Sequence, residues 1–444
     1  MDLNLSRFTK LKVLYIAEEL QLSIFDIMVG TIPQALIKKN LKKLFKISEK
    51  NVRISQKNGD LIISIENEPL ENESKLPTEH DLIEAISSQL SQYLHSTLKH
   101  KITQRDLIYI TKESGTPLMG SIYFGLIDRG TNLIQVRPLT GCLLNCPFCS
   151  VDEGPQSKTR LTDYIVDPSY LVEETTKLIE YKEISDIEIH IDGQSEPTLY
   201  PHLAELIASF AKNPRIAVIS MQTNGVPLDA PYIKKLEKAG LSRINLSINS
   251  LNPKRANYLA GTSYDIRHIK QVTEDIARSS IQLLVSPLWI PGLNDNDIEE
   301  IIAFVSSLNI RSKFPLLGIQ NFLKYKFGRK IHAVKQVNMK RFKEKLHEWE
   351  EIFGIRPLFL TPNDFGIHPA KSYPRAFERG EKTEVEIILP GRLGSKFQNK
   401  REMLGSAKNR LIQVMDSKSR IGDRVFVKIT NTEDNIYYAH EINK

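Results

Sequence analysis

The chain has 444 residues, 41% of them hydrophobic and 25% charged, with a net charge of +7. That length suggests roughly two to four domains with ample core, and the composition is that of a globular protein. No apolar run is long enough to span a bilayer, three cysteines make no disulfide framework, and the positive balance permits a polyanionic partner without requiring one. A reducing, cytoplasmic setting is therefore expected.

In the first part of the chain, Lys38, Lys39, Lys42, Lys43 and Lys46 interleave with Leu36, Ile37, Leu41, Leu44 and Phe45. This predicts an amphipathic helix with a basic face. Alternating stretches at 52–56 and 61–65 flank Asn58-Gly59-Asp60, which predicts a hairpin. Thr78 is a candidate N-cap with Asp81 three residues on. Leu82, Ile83, Ile86, Leu90, Tyr93, Leu94 and Leu98 follow at helical spacing. Residues 1–118 are expected to form a small α+β domain of unknown role.

The middle alternates between two periods. Strands are expected at 133–136, 187–191, 217–222, 243–248, 281–288 and 314–319. Helices are expected at 168–181, 203–211, 231–239, 266–278 and 297–308. Val-, Ile- and Leu-rich strands joined by helical crossovers require a parallel sheet covered by helices. An open sheet and a barrel are both compatible with that pattern. On the fourth strand Asn245, Ser247 and Asn249 share one face, and on the fifth Ser286 lies between Leu284 and Leu288. Polar residues facing an apolar core are expensive, so a ligand site is the better account of the first three. Ser286 fits a core hydroxyl bonded to backbone as well.

Between the first strand and first helix stand Cys142, Cys146 and Cys149, spaced C-x3-C-x2-C, and the chain has no other cysteine. Thiolates are soft ligands suited to zinc or iron–sulfur clusters, which ordinarily take four protein ligands. With three, one iron of a [4Fe-4S] cluster would stay open. The spacing, with the aromatic Phe148 just before the last cysteine, resembles the signature of the radical S-adenosylmethionine (SAM) superfamily. The resemblance implies that the SAM amino and carboxylate groups chelate the open iron. An electron from a donor such as ferredoxin or flavodoxin then releases a 5′-deoxyadenosyl radical. It also implies a partial (β/α)6 barrel over residues 119–335, with the chemistry at the carboxyl ends of the strands.

Further motifs fit that barrel. Asp192-Gly193-Gln194-Ser195-Glu196-Pro197 resembles the Gly-Gly-Glu-Pro motif that meets the SAM amino group, with Gln194 and Ser195 in place of the two glycines. Thr223-Asn224-Gly225 resembles the superfamily's Thr-Asn-Gly turn. Pro291-Gly292-Leu293-Asn294-Asp295 resembles its Pro-Gly-x-Asn-Asp turn. The resemblance makes Cys142, Cys146 and Cys149 the cluster ligands. It makes Phe148, Gln194, Ser195, Glu196, Asn224, Ser247, Asn249 and Ser286 candidate SAM contacts. No catalytic residue acting on substrate is identified.

Residues 336–379 read as a helix at 340–353, a strand at 357–360, and a loop in which Asp364 and His368 are candidate substrate groups. Residues 380–444 alternate at 384–389, 411–414, 425–429 and 436–441, which predicts a small β-barrel. The run Ser419-Arg420-Ile421-Gly422-Asp423-Arg424-Val425-Phe426-Val427 resembles the TRAM domain, an RNA-binding barrel. Arg392, Lys396, Lys400, Arg401, Lys408 and Arg410 precede or enter it and are expected to follow a phosphate backbone. The expected activity is modification of a nucleoside in tRNA or rRNA. The tail is expected to position RNA without taking part in the radical chemistry. The alternative is a peptide or small-metabolite substrate, with the tail a partner or dimer module.

Overall fold

The computed structural model describes residues 2–4, 11–17, 19–58, 60–66, 78–83, 86, 97–308, 310, 312–355, 357–394 and 401–443. Gly59 of the expected hairpin, Leu90, Tyr93 and Leu94 of the expected helix, and Lys396 and Lys400 of the basic run lie outside them. The chain divides into two compact units, Met1–Tyr109 and Ile110–Lys444.

In the first unit, Glu19–Ile24 pairs antiparallel with both Leu11–Ile16 and Met28–Pro33, a meander not foreseen from the sequence. The helix Gln34–Phe45 buries Ile37 and Leu41 and ends with Lys42 and Lys43, where positive charge suits the helix dipole. Val52–Lys57 and Asp60–Ile65 form the expected hairpin. Thr78 and Asp81 bond reciprocally, side chain to backbone, as the capping reading requires.

The second unit carries the barrel. Its strands are β1 (Gly125–Asp128), β2 (Leu133–Arg137), β3 (Ile187–Ile191), β4 (Ile216–Thr223), β5 (Arg243–Leu246) and β6 (Gln282–Val285). The crossovers are α1 (Pro168–Lys182), α2 (Leu203–Ala211), α3 (Ala230–Ala239), α4 (Pro253–Ala260) and α5 (Ile266–Arg278). The sheet runs in order from β6 to β1; β2 to β6 are parallel and β1 is an antiparallel edge. The sixth expected strand, 314–319, is corrected. Pro287 has no N–H to give, so pairing thins here to the Val285–Leu317 bridge, where Val285 N–H donates to Leu316 O at 2.8 Å and Gly318 N–H to Val285 O at 2.9 Å. Pairing resumes between β7 (Leu288–Trp289) and β8 (Gln320–Asn321), after the helix α6 (Asp295–Ser307).

The two faces of these strands differ sharply. Ile187, Ile189, Ile191, Ile219, Met221, Ile244, Leu246, Leu283 and Val285 are all buried. The alternate positions are Glu188 and His190 on β3, Ser220 and Gln222 on β4, and Arg243 and Asn245 on β5. Closed barrels of this type usually fill their interior with branched aliphatics. Here the inner face is polar and encloses cavities.

Helix α7 (Met339–Phe353) follows. The strand expected at 357–360 is absent: Pro357 and Pro362 bracket a bend, and the Leu358 N–H is taken by the Glu350 carboxylate at 2.7 Å. The tail forms β9 (Lys382–Pro390), β10 (Arg401–Ala407), β11 (Arg410–Ser417), β12 (Arg424–Asn431) and β13 (Tyr438–Glu441). They close as a barrel in the order β9-β10-β11-β13-β12. Strand β10 was not expected. Val385, Ile387, Met403, Ile412, Val414, Val427 and Ile429 fill the interior.

This barrel is seated on the rest of the unit. Leu411 N–H donates to Met119 O at 2.8 Å and Tyr437 N–H to Gly120 O at 3.0 Å. Gly120 has φ +117°, and a Cβ there would lie 2.1 Å from Leu411 O, so only glycine permits the approach. Two arginines expected to face RNA are corrected: Arg392 is 0% exposed and Arg410 is 7% exposed. Among the described residues no helix is long and apolar enough to cross a membrane.

Candidate active site

The cysteine loop leaves the carboxyl end of β2 and is held from several sides. Asn145 N–H donates to Ala260 O at 2.8 Å, and Glu196 N–H to Gly141 O at 2.9 Å. Gly154 and Gly261 have positive φ; a Cβ on either would stand 1.9 Å from Leu144 O or 2.0 Å from Asn145 O. The Arg329 guanidinium clamps the loop, donating to Asp152 at 2.8 Å, Cys146 O at 3.1 Å and Glu153 O at 2.6 Å.

Backbone and side-chain donors aim at two of the sulfurs. Leu144 N–H and Asn224 Nδ2 approach Cys142 Sγ at 3.4 and 3.7 Å, and Glu153 N–H approaches Cys149 Sγ at 3.2 Å. Such N–H···S contacts stabilise thiolates and tune the potential of a cluster. Burial pushes all three thiols up, Cys146 to about 12, so in the metal-free chain they are neutral and a thiolate there requires a bound cation. Among the described residues no three His, Cys, Asp or Glu side chains converge on one ion position. The three thiols line a single cavity, and three soft ligands without a fourth suit a cluster with one open iron better than a lone zinc.

That cavity measures about 340 Å³ and is lined by the three cysteines with Phe148, Ser195, Glu196, Asn224, Ser247, Asn249 and Ser286. Of the expected SAM contacts, Gln194 alone is missing. Its buried amide accepts from Arg392 at 3.2 Å and its backbone carbonyl accepts from Gly141, so its side chain is corrected from cofactor contact to structural link. Ser195 lines the cavity, and its Oγ is buried without a partner. An unsatisfied hydroxyl on a cavity wall fits a polar ligand.

Glu196 is the knot between two turns. One carboxylate oxygen accepts from Thr198 N–H at 3.0 Å, Thr198 Oγ1 at 2.6 Å and Thr223 Oγ1 at 2.6 Å; the other accepts from Asn224 N–H at 2.8 Å. Burial raises its pKa while these four donors oppose the rise. Glu196→Gln places an amide N–H against a donor. It is expected to cost about 1.5–3 kcal/mol, read as a lower denaturant midpoint.

Gln222 Nε2 bonds Ser247 Oγ at 2.8 Å, and Asn249 Oδ1 accepts from Leu288 N–H at 2.8 Å. Asn294 of the expected Pro-Gly-x-Asn-Asp turn donates to Asn249 O at 3.1 Å, so that turn fixes the segment that follows β5. Sequence reasoning missed Tyr264, whose hydroxyl donates to Asn224 O and Ser247 O from the cavity wall, as well as Arg329 and Thr223. Thr223 lay within a recognised turn; Tyr264 and Arg329 carried no local signal. Asp364 and His368 do not line this cavity. Asp364 caps its own turn through Thr361, and His368 pairs with Asp186 at 2.6 Å on the surface.

Comparison with known proteins adds the following. The Radical SAM superfamily model matches residues 136–305. An uncharacterized protein of Methanocaldococcus jannaschii is 41% identical over 375 residues, covering 80% of this chain and 85% of the relative. The GTP 3′,8-cyclase of Aquifex aeolicus is 25% identical over 272 residues, covering 60% of this chain and 82% of the cyclase. The probable GTP 3′,8-cyclase of Archaeoglobus fulgidus is 28% identical over 153 residues, covering 33% of this chain and half of that protein. The crystal structure of Streptococcus suis SuiB superposes with a TM-score of 0.39 at 14% identity, covering 66% of this chain and 56% of that one.

Proposed function

We infer that the chain, which belongs to the radical SAM superfamily through its residues 136–305, binds the [4Fe-4S] cluster and SAM that members of that superfamily bind. On that premise we propose that Cys142, Cys146 and Cys149 hold one such cluster, that the adjoining cavity takes SAM, and that the enzyme modifies a nucleoside in tRNA or rRNA. The observation carrying the chemistry is that the chain's only three thiols share one cavity with the polar carboxyl ends of the strands. When bound and reduced, the cluster supplies the electron that splits SAM to a 5′-deoxyadenosyl radical. The protein's own part is position and shielding. Amide donors stabilise the thiolates, Arg329 fixes the loop, and Ser195, Asn224, Ser247 and Asn249 offer the polar contacts for SAM.

A nucleoside substrate is supported by the TRAM-like barrel and by sequence relatives named for GTP. Arg401, Lys418, Arg420 and Lys428 are exposed on that barrel and could meet phosphates. The inward turn of Arg392 and Arg410 favours a second reading, a small free substrate, because it removes two of the expected phosphate contacts. The deciding experiment incubates reconstituted enzyme with SAM, reductant and total RNA from a strain lacking the gene, followed by nucleoside mass spectrometry. A nucleoside that gains or loses mass supports the RNA reading; an unchanged profile, with SAM cleavage intact, moves the assignment to a small substrate.

A binding prediction follows. If the barrel carries RNA, affinity falls with salt, and alanine at Arg401, Lys418, Arg420 and Lys428 flattens the slope by roughly one unit per lost phosphate contact. Gel shifts at several salt concentrations measure it. A salt-independent or absent shift removes the RNA role from this domain.

A further inference from the structure

Beneath the cysteine-lined cavity, toward the amino ends of the strands, the barrel holds a second chamber of about 340 Å³. Gln222, Ser286 and Gln320 line both spaces, so the two adjoin. Its floor is a charged pair. Glu188 and Arg243 are 2% and 3% exposed and are bonded to each other. Arg243 Nε also donates to Asn245 at 3.1 Å, and its guanidinium lies 4.7 Å and 4.6 Å from the ring centres of Phe314 and Phe365. The bonded oxygen of Glu188 accepts from Ser220 Oγ at 2.6 Å as well.

The bonding stops short of completion on both partners. Arg243 Nη1 and Glu188 Oε2 are buried and have no partner. Buried ionic pairs persist when their remaining donors and acceptors are satisfied. Here one strong donor and one strong acceptor are left over, on two bonded residues that line a cavity of small-molecule size. A phosphate or carboxylate would satisfy Arg243 and be repelled by Glu188. An ammonium would do the reverse. A neutral group with a carbonyl beside an N–H satisfies both. The remaining walls include Phe342, Phe359 and Phe365, which suit a flat ring.

We propose that this chamber is a base-recognition subsite. It takes the cis-amide edge of a planar heterocycle, as found in guanine or uracil, with the carbonyl on Arg243 and the ring N–H on Glu188. The proposal rests on the nucleoside reading above and specifies it. With the base in the chamber, the rest of the nucleoside extends past Gln222 and Ser286 into the cavity where SAM is expected. Burial lowers the pKa of His190, leaving its imidazole neutral beside Ser220, so no further charge enters the chamber from that wall.

The test is calorimetric titration of the reconstituted full-length protein with guanosine, uridine and their N-methylated forms, 1-methylguanosine and 3-methyluridine. SAM cleavage without substrate is measured on the same preparation. The expected result is that one of the two parent nucleosides binds and that methylation of its ring N–H weakens binding by about tenfold or more. Glu188→Gln is expected to weaken the parent nucleoside similarly while leaving substrate-free SAM cleavage unchanged. The methylated probes act on the wild-type protein, so the test survives a Glu188 variant that fails to fold. Equal binding of parent and methylated forms overturns the subsite, as does no saturable binding of either nucleoside at millimolar concentration. Selective binding without any SAM cleavage would leave the subsite standing and sink the enzymatic reading instead.

Discussion

Cys146→Ala is expected to bring reductive SAM cleavage down to the level of a protein-free control. The wild-type protein, reconstituted anaerobically, is expected to carry about four irons per chain and to yield 5′-deoxyadenosine. Cys146 sits at the centre of the loop, its carbonyl held by Arg329 at 3.1 Å, and burial has already pushed its thiol to about 12. A buried thiol of that kind becomes a thiolate only with a cation to compensate it. The chain has three cysteines in all, so no neighbouring thiol can take the vacated position. Chromatography of the quenched reaction gives the yield, and iron and sulfide analysis gives the loading. Equal yields from variant and wild type would refute Cys146 as a ligand. About eight irons per chain would refute the single-cluster assignment.

The chemistry was legible because it is written locally. A soft-ligand triplet with an aromatic at a fixed offset, a Thr-Asn-Gly turn and polar residues on alternate strand positions can each be read without knowing what packs on what. The crossover helices were legible for the same reason: caps and periodicity are local, and Leu203–Ala211 and Ile266–Arg278 span the same residues in both readings. Errors arose where tertiary context decides. The 314–319 segment is apolar enough for a strand, but Pro287 of its partner withholds a donor and the pairing thins to a bridge. The strand Arg401–Ala407 is encoded mainly by the closure of the barrel around it.

The polar inner face shows how far a local rule can reach when applied consistently. Asn245, Ser247 and Asn249 were identified by their two-residue period. The same period on the second parallel strand picks out Glu188 and His190, and one step back on the fourth picks out Arg243. A signal for the second chamber was thus present in the sequence. What the sequence could not supply is the pairing of Glu188 with Arg243 across an intervening strand, or the two atoms that pairing leaves unsatisfied.

Arg392→Met is expected to destabilise the protein by about 3–5 kcal/mol and to reduce both iron retention and SAM cleavage. From the sequence, Arg392 belonged to a basic run that would track a phosphate backbone, and the tail was expected to stand apart from the chemistry. In the structure its guanidinium is fully buried beneath the cysteine loop. It pairs with Glu153 and with Asp163 at 2.7 Å, and donates to Thr162 O at 2.9 Å and to Gln194 at 3.2 Å. Glu153 is the residue whose N–H approaches Cys149 Sγ, and Gln194 abuts Ser195. One side chain from the C-terminal barrel therefore braces both the cysteine loop and the turn expected to meet SAM. Methionine keeps most of the volume but takes the guanidinium away from Asp163 and leaves Glu153 only the longer pairing with Arg160 at 3.9 Å. Adding Asp163→Asn should recover much of the stability, because the carboxylate that lost its guanidinium is then neutral, while Glu153 still faces Arg160. It should not recover full iron retention, because the brace itself is still missing. Thermal or denaturant unfolding gives the first quantity and iron per chain the second, so lost stability and lost positioning are read separately. Truncation before Lys382 is expected to abolish SAM cleavage for the same reason. If Arg392→Met instead keeps about four irons and normal cleavage, the loop is held by Arg329 and its glycine-lined contacts alone, and the tail has no part in forming the site.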